Sequence, residues 1–171
     1  MIIAIAETGG RDDEKMYDVR CTICMVALAV VALCATSCKN DIVYSRFSSI
    51  PSEKWSIDSV ASFEYVITDA DPDYRMLVYV RHTERYPYQN MWLFVGDSLH
   101  RDTIEFYLAD DRGQWLGNKH HGFIEMPVLL EENYHFADTG TYHIAIQHGM
   151  RDSVLRGITD IGLEIVRNGE K

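Results

Sequence analysis

The sequence predicts an all-β fold, an antiparallel β-sandwich of seven or eight short strands, either jelly-roll or immunoglobulin-like. Three observations carry that prediction. Apolar and polar residues alternate with period two through most of the chain after residue 55, which sends successive side chains to opposite faces of a strand. Turn-forming clusters punctuate the alternation: Asp69-Ala70-Asp71-Pro72-Asp73, Tyr86-Pro87, Gly96-Asp97, Asp110-Asp111-Arg112-Gly113, Gly117-Asn118 and Asp138-Thr139-Gly140. Helical periodicity is nearly absent, and Asp152-Ser153-Val154-Leu155-Arg156 alone reads as a helical turn.

The strands follow in order. Phe63, Tyr65 and Ile67 share one face of the first run, and Met76, Val78 and Val80 one face of the next, opposite Leu77, Tyr79 and Arg81. Met91-Trp92-Leu93-Phe94-Val95 is apolar on both faces, as expected of a central strand covered on both sides. Ile104, Phe106 and Leu108 point inward from their run; Ile124-Met126-Val128-Leu130, Tyr142-Ile144-Ile146 and Ile161-Leu163-Ile165 obey the same rule. Turn-rich spacing of this kind belongs to sandwiches.

Before the strands the chain reads as an address. Ile23 to Cys34 is a run of 12 apolar residues, long enough for the core of a secretory signal and too short to span a bilayer as a helix. It ends in Ala35-Thr36-Ser37-Cys38, which resembles a bacterial lipobox, with Ala35 where Leu is commoner. That resemblance implies cleavage before Cys38 and a diacylglycerol on its thiol, acyl chains then holding the protein on a membrane without a spanning helix. Residues 1–15 carry Glu7, Asp12, Asp13 and Glu14 where such a signal should be basic, so they are expected to be an annotation extension, with Met16 the start. The expected organisation is therefore 1–15 extension, 16–37 signal peptide, 38–54 lipidated cysteine and polar tether, 55–171 sandwich domain. All four cysteines lie between residues 21 and 38; cleavage would leave only the acylated Cys38 and a domain without disulfides.

Composition and motif tests exclude several functions. Sixteen Lys plus Arg against 26 Asp plus Glu give the chain a net charge of −10 without a basic block, which disfavours nucleic acid as a partner. Adjacent His120 and His121 would diverge on a strand, and no metal-ligand spacing accompanies them, so no metal and no cofactor are expected. Asp69 to Asp73 opens like a calcium loop, but Tyr74 and Val80 stand where an EF-hand needs Gly and Glu; the segment reads as an acidic turn that leaves a loop-end calcium ion open. No nucleophile elbow and no carboxylates at glycosidase spacing occur, so no enzymatic activity is expected.

Three segments together carry a resemblance: Tyr79-Val80-Arg81-His82 leading into Tyr86-Pro87-Tyr88-Gln89-Asn90-Met91-Trp92-Leu93-Phe94, then Gly113-Gln114-Trp115-Leu116-Gly117, then Gln147-His148-Gly149-Met150-Arg151 with Leu155-Arg156-Gly157-Ile158-Thr159-Asp160-Ile161-Gly162-Leu163. With the lipobox, they resemble the gliding-motility lipoprotein GldH family of Bacteroidetes from about Trp55 to Ile165. The resemblance implies an outer-membrane lipoprotein with protein partners in gliding and secretion machinery of the envelope, and no established enzymatic activity. Arg81, Arg151 and Asp160 are expected to form an ion pair that fixes strand geometry. Tyr86, Tyr88 and Trp92, aromatic anchors flanked by arginine, are the expected partner surface. The alternative is a carbohydrate-binding surface lipoprotein: a groove lined by exposed Trp or Tyr would point to a sugar, a flat apolar patch to a protein.

Overall fold

The computed structural model describes residues 42–97 and 101–169. Met16–Ser37 and Cys38 lie outside the described residues. Eight strands of seven or more residues build the domain: β1 (Ile42–Ser49), β3 (Ala61–Ile67), β4 (Tyr74–His82), β5 (Asn90–Gly96), β6 (Arg101–Tyr107), β8 (Ile124–Tyr134), β9 (Gly140–His148) and β11 (Ile158–Arg167). Three shorter ones, β2 (Lys54–Ser56), β7 (Asn118–Lys119) and β10 (Val154–Arg156), complete the described set, with one 3-10 turn at Pro51–Glu53.

Pairing makes the architecture explicit. β1 pairs with β11, β3 with β9, β4 with β8 and β5 with β6, all antiparallel. The long strands thus form four nested pairs, first with last and inward to the middle, as in one long hairpin. Rolled up, that hairpin gives two sheets, β1-β11-β4-β8-β7 and β3-β9-β5-β6. This nested arrangement is a jelly roll, which decides between the two sandwich types the sequence allowed.

The alternating pattern lies as expected. Phe63, Tyr65 and Ile67, Met76, Val78 and Val80, and Ile161, Leu163 and Ile165 are all buried in one core with Leu93 and Ile146. Each fully buried aliphatic side chain contributes about 1.5–3 kcal/mol of transfer free energy. Aromatic side chains close both poles of the roll. Tyr65, Tyr74, Tyr134, Phe136 and Tyr142 make edge and stacked contacts at the pole where β1 begins. At the far pole, where β4 ends, His82 packs edge-on against Trp115 with ring centres 4.7 Å apart, and Trp55 against His148 at 5.2 Å.

Three expectations change. The polar segment 38–54 was expected to be a tether, yet Ile42–Ser49 is an edge strand of the domain and β2 begins at Lys54. Its serines are used as strand residues: Ser45 Oγ donates to Glu164, and Ser49 Oγ to Asp160 at 2.8 Å. The segment expected to form a helical turn, Asp152–Arg156, instead contributes β10, whose Leu155 sits opposite Trp55 with both side chains buried. Strand β5 is covered on one face: Met91, Leu93 and Val95 are buried, while Trp92 is 38% exposed.

Candidate functional site

The far pole collects most of the segments that carried the resemblance. Gly157 follows β10 at φ +81°, and a Cβ there would lie 2.4 Å from the Tyr86 nitrogen. Only glycine lets the two backbones approach so closely. The contact seats the loop between β4 and β5, and Thr83 N–H donates to Gly157 O at 2.8 Å.

On that loop the three expected surface aromatics separate. Tyr86 is 2% exposed and donates its hydroxyl to Asn90 O at 2.7 Å. Burial pushes its phenol well above the ordinary range. It is a core residue, and its place in the expected partner surface is a correction: the loop folds back over the pole, so Tyr86 fills the space beside His82 and Trp115. Tyr88 and Trp92 do come together. With Asn90, Gly149, Met150 and Arg151 they line an open depression of about 410 Å³.

The depression is held rigidly. Tyr88 donates its hydroxyl to Asp152 at 2.8 Å, a bond that also raises its pKa, and its ring meets Tyr86 edge-on. Asn90 Nδ2 donates to Glu105 at 2.6 Å. Gly149 N–H donates to Trp92 O at 2.7 Å, and Trp92 N–H to the Met150 sulfur at 3.3 Å, which ties the loop after β9 to β5. Arg151 stands exposed at the rim and has no side-chain partner among the described residues. Ring faces, a polarizable thioether and one uncommitted guanidinium are the chemistry it offers.

The expected ion pair of Arg81, Arg151 and Asp160 takes another form. Arg81 Nε donates to Glu125 at 2.7 Å, and its guanidinium lies 3.6 Å from the centre of the Phe47 ring. Asp160 receives the Ser49 hydroxyl. Elsewhere, Asp69 in the acidic turn is bound by Arg167, and Asp73 lies 3.5 Å from His135. His120 stacks on Phe123 in an exposed hairpin. No group of three or more potential metal ligands converges among the described residues.

Two buried histidines escaped the sequence reading. His82 and His148 are fully buried at the far pole, one beneath the β4–β5 loop and the other immediately before Gly149. His82 Nδ1 donates to Thr83 O at 3.1 Å, which leaves Nε2 without a partner, and neither nitrogen of His148 makes a well-formed hydrogen bond. Burial lowers both pKa values, so the rings are neutral at pH 7. Their position, each at the last residue of a strand that alternates inward, is the signal that finds them.

The domain is thus an all-β jelly roll whose far pole carries a preformed aromatic depression. Residues 42–165 match the model of the GldH lipoprotein family. The chain belongs to that family. It is 30% identical over 145 residues, 78% of this chain and 88% of the relative, to a protein of Christiangramia forsetii named gliding motility lipoprotein GldH homolog. It is 29% identical over 150 residues, 81% of this chain and 92% of the relative, to the gliding motility lipoprotein GldH of Flavobacterium johnsoniae. Among solved structures, dimeric latent PorU of Porphyromonas gingivalis aligns at a TM-score of 0.37 and 7% identity, over 78% of this chain and 14% of that one.

Proposed function

We propose that this protein is a non-enzymatic lipoprotein of the outer membrane, anchored through acylated Cys38, that serves gliding or secretion machinery by binding an envelope protein in the Tyr88–Trp92 depression. The observation that carries the reading is the state of the depression's polar groups. The Tyr88 hydroxyl hydrogen and one Asn90 amide hydrogen are already donated to Asp152 and Glu105, which leaves fewer donors for a sugar ring. What stays available is the aromatic surface of Tyr88 and Trp92 beside Arg151, the residue types that dominate protein hot spots. Rigid anchors also reduce the ordering cost of association.

The test is co-purification from envelopes. The double variant Tyr88→Ala, Trp92→Ala is expected to lose its envelope partners while its thermal midpoint stays close to that of the parent. Retention of the partners, or their loss only with unfolding, overturns the reading. Cys38→Ser is expected to release the protein from the membrane fraction.

Carbohydrate binding is the second reading, favoured by the concave shape of a site lined by Trp92 and Tyr88. Saturable binding of an envelope glycan that is lost in the same double variant, without any protein partner, would select it.

A further inference from the structure

A second feature of the far pole lies outside the aromatic depression. Three chain segments distant in sequence bring Lys54, Arg85 and Arg156 together around an open cavity of about 320 Å³, lined also by Ser52, Glu53 and Gly157. Lys54 and Arg156 are direct cross-strand partners on the β2–β10 ribbon. Their neighbours Trp55 and Leu155 turn into the core, so the two cations share the outer face. Like charges directly opposite one another destabilise a ribbon, and neither has a side-chain partner among the described residues.

The adjoining backbone carries a cost of its own. Ser52 and Glu53 are consecutive non-glycine residues at φ 55° and 54°, the left-handed region that such residues rarely occupy. The turn that contains them buries no residue, so core packing does not explain the strain. It does place Glu53: its carboxylate takes Arg85 at 2.6 Å and the Thr83 hydroxyl at 3.2 Å, and its carbonyl takes Gly157 N–H at 2.9 Å. Glu53 thereby fixes the third cation beside the other two. One carboxylate among three cations leaves the cavity two charges positive in a chain of net charge −10.

We infer that this cavity is an oxyanion site, in which Lys54, Arg156 and the Glu53-oriented Arg85 receive a phosphoryl-type group. A doubly charged phosphoryl group matches the surplus charge, and its oxygens suit a guanidinium flanked by an ammonium. Repulsion between Lys54 and Arg156 is relieved when the anion binds, which accounts for an arrangement that costs stability in its absence.

The experiment is a calorimetric titration of the full chain in neutral-detergent micelles with inorganic pyrophosphate at constant ionic strength. Saturable binding is expected, weakened at least tenfold by Lys54→Gln with Arg156→Gln and preserved in Arg156→Lys. Because the double variant removes a repulsion, its ligand-free thermal midpoint is expected to equal or exceed that of the parent, which separates lost binding from lost folding. Arg151→Gln, at the aromatic depression, leaves pyrophosphate binding unchanged. Micelles doped with phosphatidic acid, a phosphomonoester that approaches two negative charges, give the second arm: competition there assigns the site to a lipid headgroup, and its absence to a free oxyanion. No saturable binding in either arm, or equal binding by the double variant, overturns the site.

Discussion

Phe47 and Gly162 are direct cross-strand partners, and the Phe47 ring occupies the space a side chain at 162 would need: a Cβ there would lie 2.5 Å from Phe47 Cε1. Tyr79, the partner of Gly162 on its other side, completes the row with its ring centre 5.9 Å from that of Phe47. An aromatic ring covering a cross-strand glycine shields backbone and fixes register, so this contact docks the edge strand β1.

Gly162→Ala is therefore expected to cost about 1–3 kcal/mol, the range for forcing extra volume into packed structure. In a Phe47→Ala background the same substitution should cost distinctly less, because its obstacle is gone. Chemical denaturation of the four proteins of this cycle measures the difference; equal costs in both backgrounds would show that the ring does not set the penalty.

Acid sensitivity follows from the buried histidines. Burial lowers the pKa of His82 and of His148 below the ordinary value of 6.5. Between the lowered values and 6.5 the unfolded chain binds more protons than the folded one, so stability rises with pH. Their contribution is complete above about pH 6.5 and is lost as pH falls through the window below it. The urea midpoint is expected to be lower at pH 5 than at pH 7, and His82→Gln or His148→Gln should each reduce that difference. An unchanged difference in both variants would assign the acid sensitivity to other groups.

Two neighbouring tyrosines should respond differently to loss of a hydroxyl. Tyr86→Phe removes a buried donor and leaves Asn90 O short of its partner, at an expected cost of about 0.5–1.5 kcal/mol. In Tyr88→Phe the lost bond runs to the half-buried rim, where water replaces it, and stability should change by less than about 0.5 kcal/mol. Thermal unfolding of the two variants distinguishes a core tyrosine from a surface one.

The inward faces of β3 and β4 were legible because each buries a simple alternation on one side, and that of β9 follows the same period, whereas β11 buries Gly162 and Val166 on its other face as well as the expected Ile161, Leu163 and Ile165. β1 was not: a register shift between Ile42 and Tyr44 interrupts its period, and as an edge strand its serines face water while Phe47 covers a glycine on the outer surface. Tyr86 and Tyr88 are separated only by Pro87 and look alike in sequence, and the close approach of Gly157 to the Tyr86 backbone decides which is buried. Lys54, Arg85 and Arg156 are isolated along the chain, and only the β2–β10 pairing and the Arg85–Glu53 bond assemble them.

The nested pairing also governs when the domain can exist. β1 lies only a few residues beyond Cys38, yet its partner β11 ends at Arg167, so the outermost pair cannot close until nearly the whole chain is available. Topologies dominated by such distant pairs fold in milliseconds to seconds. In a polypeptide threading a membrane from its N-terminus, β1 would therefore emerge without its partner, and the jelly roll would close only after β11 had crossed.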